Sequence, residues 1–220
     1  MTPDYERAAT AASETLVKFG IKSAPVSPLP ILKQLPGVLV VSYQDLSEQM
    51  EMDRKCVMAA YGHHNQDAFT SVSIVNGKPH YIITYNQQLS QVLVQRSLAR
   101  ELAHIVLGHD GSRPVEVRDE EARCFANHLL VPRALIHALQ ASSVRVTVDV
   151  LGSLTGCYDY CLSCMRRIPA VHVPADLNRA VRDQFMPYFI NFFEYHNSVS
   201  GRDGSALADF GTYMDGYTEV

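Results

Sequence analysis

Two strand-forming runs joined by Asn76-Gly77 constrain the fold of this chain more than any other feature. The runs, FTSVSIV and KPHYIITY, are rich in β-branched and aromatic residues. Asn-Gly is a preferred two-residue turn between antiparallel strands, because both turn positions require a positive φ. The sequence therefore predicts a β-hairpin over residues 69–86. A further apolar run, GVLVVSY at 37–43, predicts a buried strand.

Helical patterns dominate the rest of the chain. The stretch KSAPVSPLP is predicted to be a proline-rich connector, and Pro187 should break or kink the helix that contains it. Short helices are predicted within 133–168, and the Gly-, Ser- and Asp-rich residues from 197 onward are predicted to form a mobile tail. Longer helices are predicted, in chain order, over 3–19, 88–108, 115–131 and 175–195.

Composition narrows the class of protein. A chain of 220 residues with 47% hydrophobic content is long enough for one good core and a small appendage. The net charge of −4 argues against an extended nucleic-acid surface. No long apolar run predicts a membrane span, and the polar start MTPDYERAATAASE predicts no signal peptide. The predicted location is therefore the cytoplasm, where the five cysteines, an odd count, are expected to stay reduced.

The long helix at 88–108 carries R-E-L-A-H, which differs at one position from the zinc-peptidase pattern H-E-x-x-H. In that pattern the two histidines point the same way from the helix and hold one ion, while the glutamate activates the metal-bound water. Glu101 and His104 keep their places. Arg100 stands at the first histidine, and a guanidinium stays protonated and has no free lone pair for a metal.

The motif has further context on both sides. A hairpin ending in Tyr-Asn precedes R-E-L-A-H-x-x-L-G-H, and D-E-E-A-R-C-F-A-N-H-L-L-V-P follows it. Over residues 69–133 this order resembles the ImmA/IrrE family of metallopeptidases. The resemblance implies an α+β fold, with a zincin-like domain of a small sheet and a helical bundle, plus a C-terminal helical extension. The predicted boundaries are 1–140 for the metallopeptidase-like domain, 141–196 for the extension and 197–220 for a flexible tail.

The same resemblance assigns site residues. Glu101 falls on the catalytic general base, His104 on the second zinc histidine and Asp119 on the third ligand, which is normally a glutamate. Arg123 stands where the family has an asparagine, so it is a second site-altering arginine beside Arg100. Apolar positions of the second helix fall on the family's packing residues, namely Phe125, Ala126, Leu129, Leu130 and Pro132.

Two alternatives for the metal follow and stay open at this stage. Zinc is retained if a substitute such as His109 or His128 replaces the missing histidine. Otherwise Arg100 and Arg123 bring positive charge into the site, and a guanidinium bridges to Asp119 by a two-pronged bond in a metal-free ion-pair cluster.

Two functions correspond to these alternatives. The favoured one is a regulatory protein that acts on a helix-turn-helix repressor or another peptide segment, with impaired or lost zinc-dependent peptidase activity. The alternative is an active zinc metallo-endopeptidase that cleaves a transcriptional repressor. Neither function requires a membrane or direct binding to nucleic acid. The helices predicted within 141–168 lack a basic recognition helix, because Arg166-Arg167 is their only basic pair.

Two other motifs have simpler interpretations. Cys157, Cys161 and Cys164 have the C-x₃-C-x₂-C spacing of some iron–sulfur sites, but on a helix this is also the spacing of an apolar face. We interpret them as packing residues. The pair His63-His64 lies in a polar stretch and is interpreted as part of a solvated loop.

Overall fold

The computed structural model describes residues 1–61, 67–136, 147–157 and 171–199, with side chains up to residue 192 in the last range. The helices and the small three-stranded sheet of the described residues form an α+β arrangement, which confirms the predicted fold class. The elements are α1 (Tyr5–Lys18), α2 (Pro28–Gln34), β1 (Val38–Ser42), α3 (Tyr43–Met50), α4 (Arg54–Tyr61), β2 (Ala68–Val75), β3 (Lys78–Tyr85), α5 (Gln91–Val106), α6 (Val115–Leu130), α7 (Val148–Thr155) and α8 (Ala175–Val199).

The three described strands form one sheet in the order β1-β3-β2. Strands β2 and β3 pair antiparallel, and β1 runs parallel to β3. Asn76 and Gly77 join the hairpin with φ values of 52° and 73°, so both turn residues occupy the left-handed region that this turn requires. The predicted hairpin is therefore confirmed, and β2 is left at one end of the sheet.

Helix α5 packs on the two hairpin strands through its apolar face. Leu98 and Leu102, one turn apart, are almost fully buried, as is Ile83 on β3. Burying side chains of this size stabilises the fold by about 1.5–3 kcal/mol each. Eight residues, 107–114, connect the end of α5 to the start of α6. These elements together position the residues of the motif.

The chain divides into two compact units. The first comprises residues 1–3 and 27–126, and the second comprises residues 4–26 and 127–220. In the second unit α1 packs against α8, where the Gln184 side chain donates to the Leu16 carbonyl at 2.8 Å. Tyr188 of α8 donates to the Leu154 carbonyl of α7 at 2.9 Å. The predicted boundary at 140 lies outside the described residues. The tail predicted from residue 197 overlaps the end of α8 at Val199, and its residues 200–220 lie outside the described residues.

Two proline-based predictions differ from the structure. The predicted connector at 22–30 contains the start of α2, which begins at Pro28. The first turn of a helix has unpaired N–H groups, so prolines there remove no helical hydrogen bond. Helix α8 runs through Pro187 without a break. Phe185 and Phe189 flank this proline and are fully buried, and their burial offsets the roughly 3 kcal/mol that an interior proline costs.

The part of the chain that the structure describes contains no helix both long and apolar enough to cross a bilayer. The packing positions assigned on α6 are buried as expected: Phe125, Ala126, Leu129 and Leu130.

Candidate functional site

A groove of about 470 Å³ lies beside the R-E-L-A-H motif, within the first compact unit. Ala68, Thr70 and Val72 alternate along β2 and so share the face of the strand that borders the groove. The remaining lining residues come from the sheet, from α5 and the turn after it, and from the first turn of α6: Phe69, Tyr81, Arg100, Glu101, His104, Ile105, His109, Val115, Arg118 and Asp119.

Glu101, the residue assigned as general base, is held against the sheet. Its side chain accepts a hydrogen bond from the Thr70 hydroxyl at 2.6 Å, and the residue is only 7% exposed. Burial raises the pKa of Glu101, while the Thr70 hydrogen bond and the nearby Arg100 charge oppose that rise. A carboxyl group with a raised pKa can exchange a proton closer to neutral pH than an ordinary glutamate.

Asp119 faces both the histidine and the arginine of the motif. Its Oδ1 lies 3.9 Å from His104 Nε2 and 3.9 Å from the Arg100 guanidinium. Both separations exceed hydrogen-bond length, and the Asp119 side chain is 50% exposed. The two-pronged bond expected between a guanidinium and Asp119 is therefore absent, because the partly solvated carboxylate makes only a loose ion pair with Arg100.

The second arginine of the groove is Arg118, which corrects the expectation for Arg123. Arg123 forms an ion pair with Glu120 on the exposed side of α6 and is not among the lining residues. Only the first turn of α6 borders the groove, so Val115, Arg118 and Asp119 share its face at i, i+3 and i+4 spacing. That spacing is present in the sequence and is the signal by which Arg118 could have been found.

His109 turns back toward the motif helix at the end of α5. Gly108 adopts a φ of 61°, and the His109 amide then donates to the His104 carbonyl at 2.9 Å, as in a Schellman cap. The two histidine Nδ1 atoms come to 2.8 Å, and His109 Nε2 lies 3.0 Å from Glu121 Oε2. Arg113 donates to the same oxygen at 2.8 Å. Glu121 and Arg113 were not identified from the sequence.

This chain of contacts favours one tautomer of His104. Glu121 Oε2 already accepts from the Arg113 guanidinium, so we assign the proton between Glu121 and His109 to His109 Nε2. His109 Nδ1 then carries the lone pair and accepts from His104 Nδ1. His104 is thereby left with the Nε2 lone pair facing Asp119 and the groove. Burial lowers the pKa of His104 to about 4, with the neighbouring His109 and Arg100 adding to the effect, so the ring is neutral at pH 7.

The donors at the groove do not match a zinc site as they are arranged. His104 Nε2 and Asp119 Oδ1 converge, but Arg100 occupies the position of the first zinc histidine and brings a cation there. Among the described residues no three His, Cys, Asp or Glu side chains are grouped so as to hold a metal ion. His109 is committed to His104 and Glu121, and His128 does not line the groove. Neither histidine therefore fits the substitute role considered for it.

Of the two remaining motifs, the described part of the chain includes Cys157, which does not line this groove. Cys157 is 1% exposed and packs as a buried apolar residue, consistent with the interpretation given above. Cys161, Cys164 and the pair His63-His64 lie outside the described residues.

Comparison with known proteins identifies one family. Residues 55–154 match the Peptidase_M78 family model, described as the IrrE N-terminal-like domain. This range includes the hairpin, α5 and α6, and so contains the described residues that line the groove. No curated protein and no solved structure matches the chain.

Proposed function

We propose, starting from the ImmA/IrrE-type domain that this chain carries, that it is a regulatory protein that binds a peptide segment in the groove and has impaired or lost zinc-dependent peptidase activity. A helix-turn-helix repressor is the partner class that the family resemblance suggests. Glu101, His104 and Asp119 are the groove residues that would descend from the general base and the metal ligands.

The observation that supports this proposal best is the position of Arg100. Its side chain lines the groove, is 31% exposed and lies 3.9 Å from the Asp119 carboxylate. A cation at that place repels a divalent metal and offers it no lone pair. Hydrolysis by this type of site depends on a metal to lower the pKa of its water, so the loss of one ligand removes the mechanism. Binding in the groove does not depend on the metal.

Peptide binding is supported by the wall of the groove. Strand β2 lies at the end of the sheet, so in the described part of the chain its outer backbone groups have no neighbouring strand. An extended peptide can pair with such an edge. Val72, Ile105 and Val115 add apolar surface beside the polar groups of the motif, a mixture typical of specific binding sites.

An active zinc metallo-endopeptidase that cleaves a transcriptional repressor is the second candidate function. One observation favours it: His104 Nε2 and Asp119 Oδ1, separated by 3.9 Å, face the same space. These two side chains are of the types that bind zinc.

Metal content distinguishes the two functions. The native chain and an Arg100→His variant are purified without chelator, and bound zinc is measured by mass spectrometry. We expect substoichiometric zinc in the native chain and a marked rise in the variant, because the new imidazole would supply the missing ligand. Arg123→His, on the exposed side of α6, is the matched control and should stay empty. Stoichiometric zinc in the native chain would overturn the proposal and favour the peptidase.

A further inference from the structure

Two arginine side chains place positive charge at the groove. Arg100 on α5 and Arg118 on α6 both line it, and both are only partly exposed. The Nε atoms of both guanidinium groups are buried and have no hydrogen-bond partner among the described residues. Two neighbouring helices therefore direct incompletely satisfied cations toward the same space. Buried donors without partners are costly, so these side chains gain from rearranging around a ligand that accepts from them.

The carboxylates of the groove leave these cations largely free. Glu101 is occupied by the Thr70 hydroxyl. Asp119 approaches Arg100 only to 3.9 Å through one oxygen, and it is half exposed to solvent. Arg118 forms no ion pair and no side-chain hydrogen bond with any residue that the structure describes. Arg113 differs from it, since that arginine is bonded to Glu121.

From these contacts we infer that Arg100 and Arg118 form a carboxylate-binding pair, and that the groove selects a peptide segment carrying an aspartate or glutamate side chain. The inference rests on the proposed function and names the chemistry of the segment that would be bound. A planar guanidinium matches a carboxylate by two parallel N–H···O bonds, which gives direction as well as strength. The terminal NH₂ groups of the two partly exposed arginines are the donors for such bonds, because the Nε atoms themselves are buried.

A peptide carboxylate suits this groove better than a polyanion does. Among the described residues two arginines line the groove, and apolar side chains such as Val72 and Val115 border them. The chain as a whole has a net charge of −4, which opposes the approach of a nucleic acid. An acidic residue flanked by apolar residues would place its charge on the arginine pair and its neighbours on this apolar border.

The test compares matched peptides on the full chain. The probes are acetyl-Val-Val-Glu-Val-Val-amide and the same peptide with Gln in place of Glu. Both peptides carry the same solubilising tag. Binding is followed by the ¹⁵N–¹H resonances of the arginine Nε–H groups. We expect the Glu peptide to bind at least about tenfold more tightly than the Gln peptide, with shifts at Arg100 and Arg118.

Substitutions distinguish specific binding by Arg100 and Arg118 from nonspecific electrostatic attraction. Arg118→Gln should reduce the affinity for the Glu peptide to that for the Gln peptide, whereas Arg118→Lys should restore part of it. Arg123→Gln removes the same charge from the same helix outside the groove and should leave the affinity unchanged. Thermal unfolding of each variant shows whether it is folded.

Three results would overturn the inference. Equal affinities for the two peptides, including the case in which neither shifts the two Nε–H resonances, would exclude a carboxylate preference. Shifts caused by inorganic phosphate or a short oligonucleotide but not by the Glu peptide would indicate a phosphate site instead. Equal losses from Arg118→Gln and Arg123→Gln would indicate nonspecific attraction. Zinc content is measured separately, so failure of the proposed function is distinguishable from each of these.

Discussion

Two ionic clusters meet at His104, and they differ in how completely they are satisfied. The inner cluster contains His109, Glu121 and Arg113, with hydrogen bonds of 2.8–3.0 Å around carboxylate and imidazole side chains that are 1% exposed. The outer cluster contains Arg100, Asp119 and Arg118, with separations of 3.9 Å and unpaired Nε atoms. The polar groups of the inner cluster bond to one another. The outer cluster has donors without partners among the described residues, and we call it the open cluster.

The difference indicates which cluster serves the fold and which is available to a ligand. Short charge-assisted bonds in a buried place hold His104 in one tautomer and connect α5 to α6. Loose pairs at a partly solvated surface contribute little to stability, so their residues can be used for binding. Substitutions in the inner cluster should therefore act on the free energy of unfolding, and those in the outer cluster on recognition.

The largest expected effect is that of Glu121→Gln in the inner cluster. The variant leaves the partly buried Arg113 cation without a counter-charge and weakens the acceptor of His109. Breaking a buried pair in this way costs about 3 kcal/mol of unfolding free energy. Urea denaturation measures the loss. Glu120→Gln, which removes an exposed neighbour on the same helix, should change stability by less than about 0.5 kcal/mol. Similar values for the two variants would mean that the inner cluster is not structural.

Acidification should weaken the fold through the same cluster. The pKa of His104 is lowered by burial from 6.5 to about 4. The unfolded chain therefore binds more protons between these values, so this contribution is complete above pH 6.5 and is lost as the pH falls toward 4. We expect a decrease of about 3 kcal/mol from this group across that window.

Urea denaturation at a series of pH values measures this dependence. His128 has a similarly lowered pKa of about 4 and contributes to the total. A His104→Gln variant should flatten the profile in part, and the double variant with His128→Gln should flatten it further. An unchanged slope in His104→Gln would show that His104 titrates normally.

Short-range sequence patterns predicted most of the helices and strands. Asn76-Gly77 located the hairpin, Gly108 and Pro132 bounded α5 and α6, and the apolar spacing selected the buried faces. Each of these depends on residues close together in the chain. The start of α2 at Pro28 was missed because proline was interpreted as a connector signal, although proline is equally suited to the first helical turn.

The open cluster was predicted only in part, since it depends on tertiary position. Both Arg118 and Arg123 lie near Asp119 along α6, and only the place where the groove meets the helix shows that Arg118 is the lining residue. The direction of His109 depends on the left-handed turn at Gly108, which sends its ring back to His104. The pairing of His109 with Glu121, twelve residues later, has no local signal in the sequence.

A smaller effect is expected from Thr70→Val, at the boundary between sheet and motif. The variant removes the hydroxyl that donates to Glu101 at 2.6 Å and leaves a buried carboxyl with one bond fewer. We expect a loss of about 1 kcal/mol in unfolding free energy and a further rise in the pKa of Glu101, because the Thr70 bond opposes the effect of burial. Carboxyl ¹³C shifts against pH measure the pKa. Thr10→Val, in helix α1 of the other unit, is the control and should not move that pKa.

The smallest change in stability should come from Asp119→Asn in the open cluster. Its ion pairs are long and half exposed, so we expect less than about 0.5 kcal/mol in urea denaturation. The same substitution should strengthen peptide binding, and this gain should exceed the small loss of stability. Removing the carboxylate nearest to Arg100 frees that guanidinium, so the affinity for an acidic peptide should rise by about threefold or more. A weaker affinity would instead mean that Asp119 holds Arg100 in its binding position, and the open cluster would then resemble the inner one.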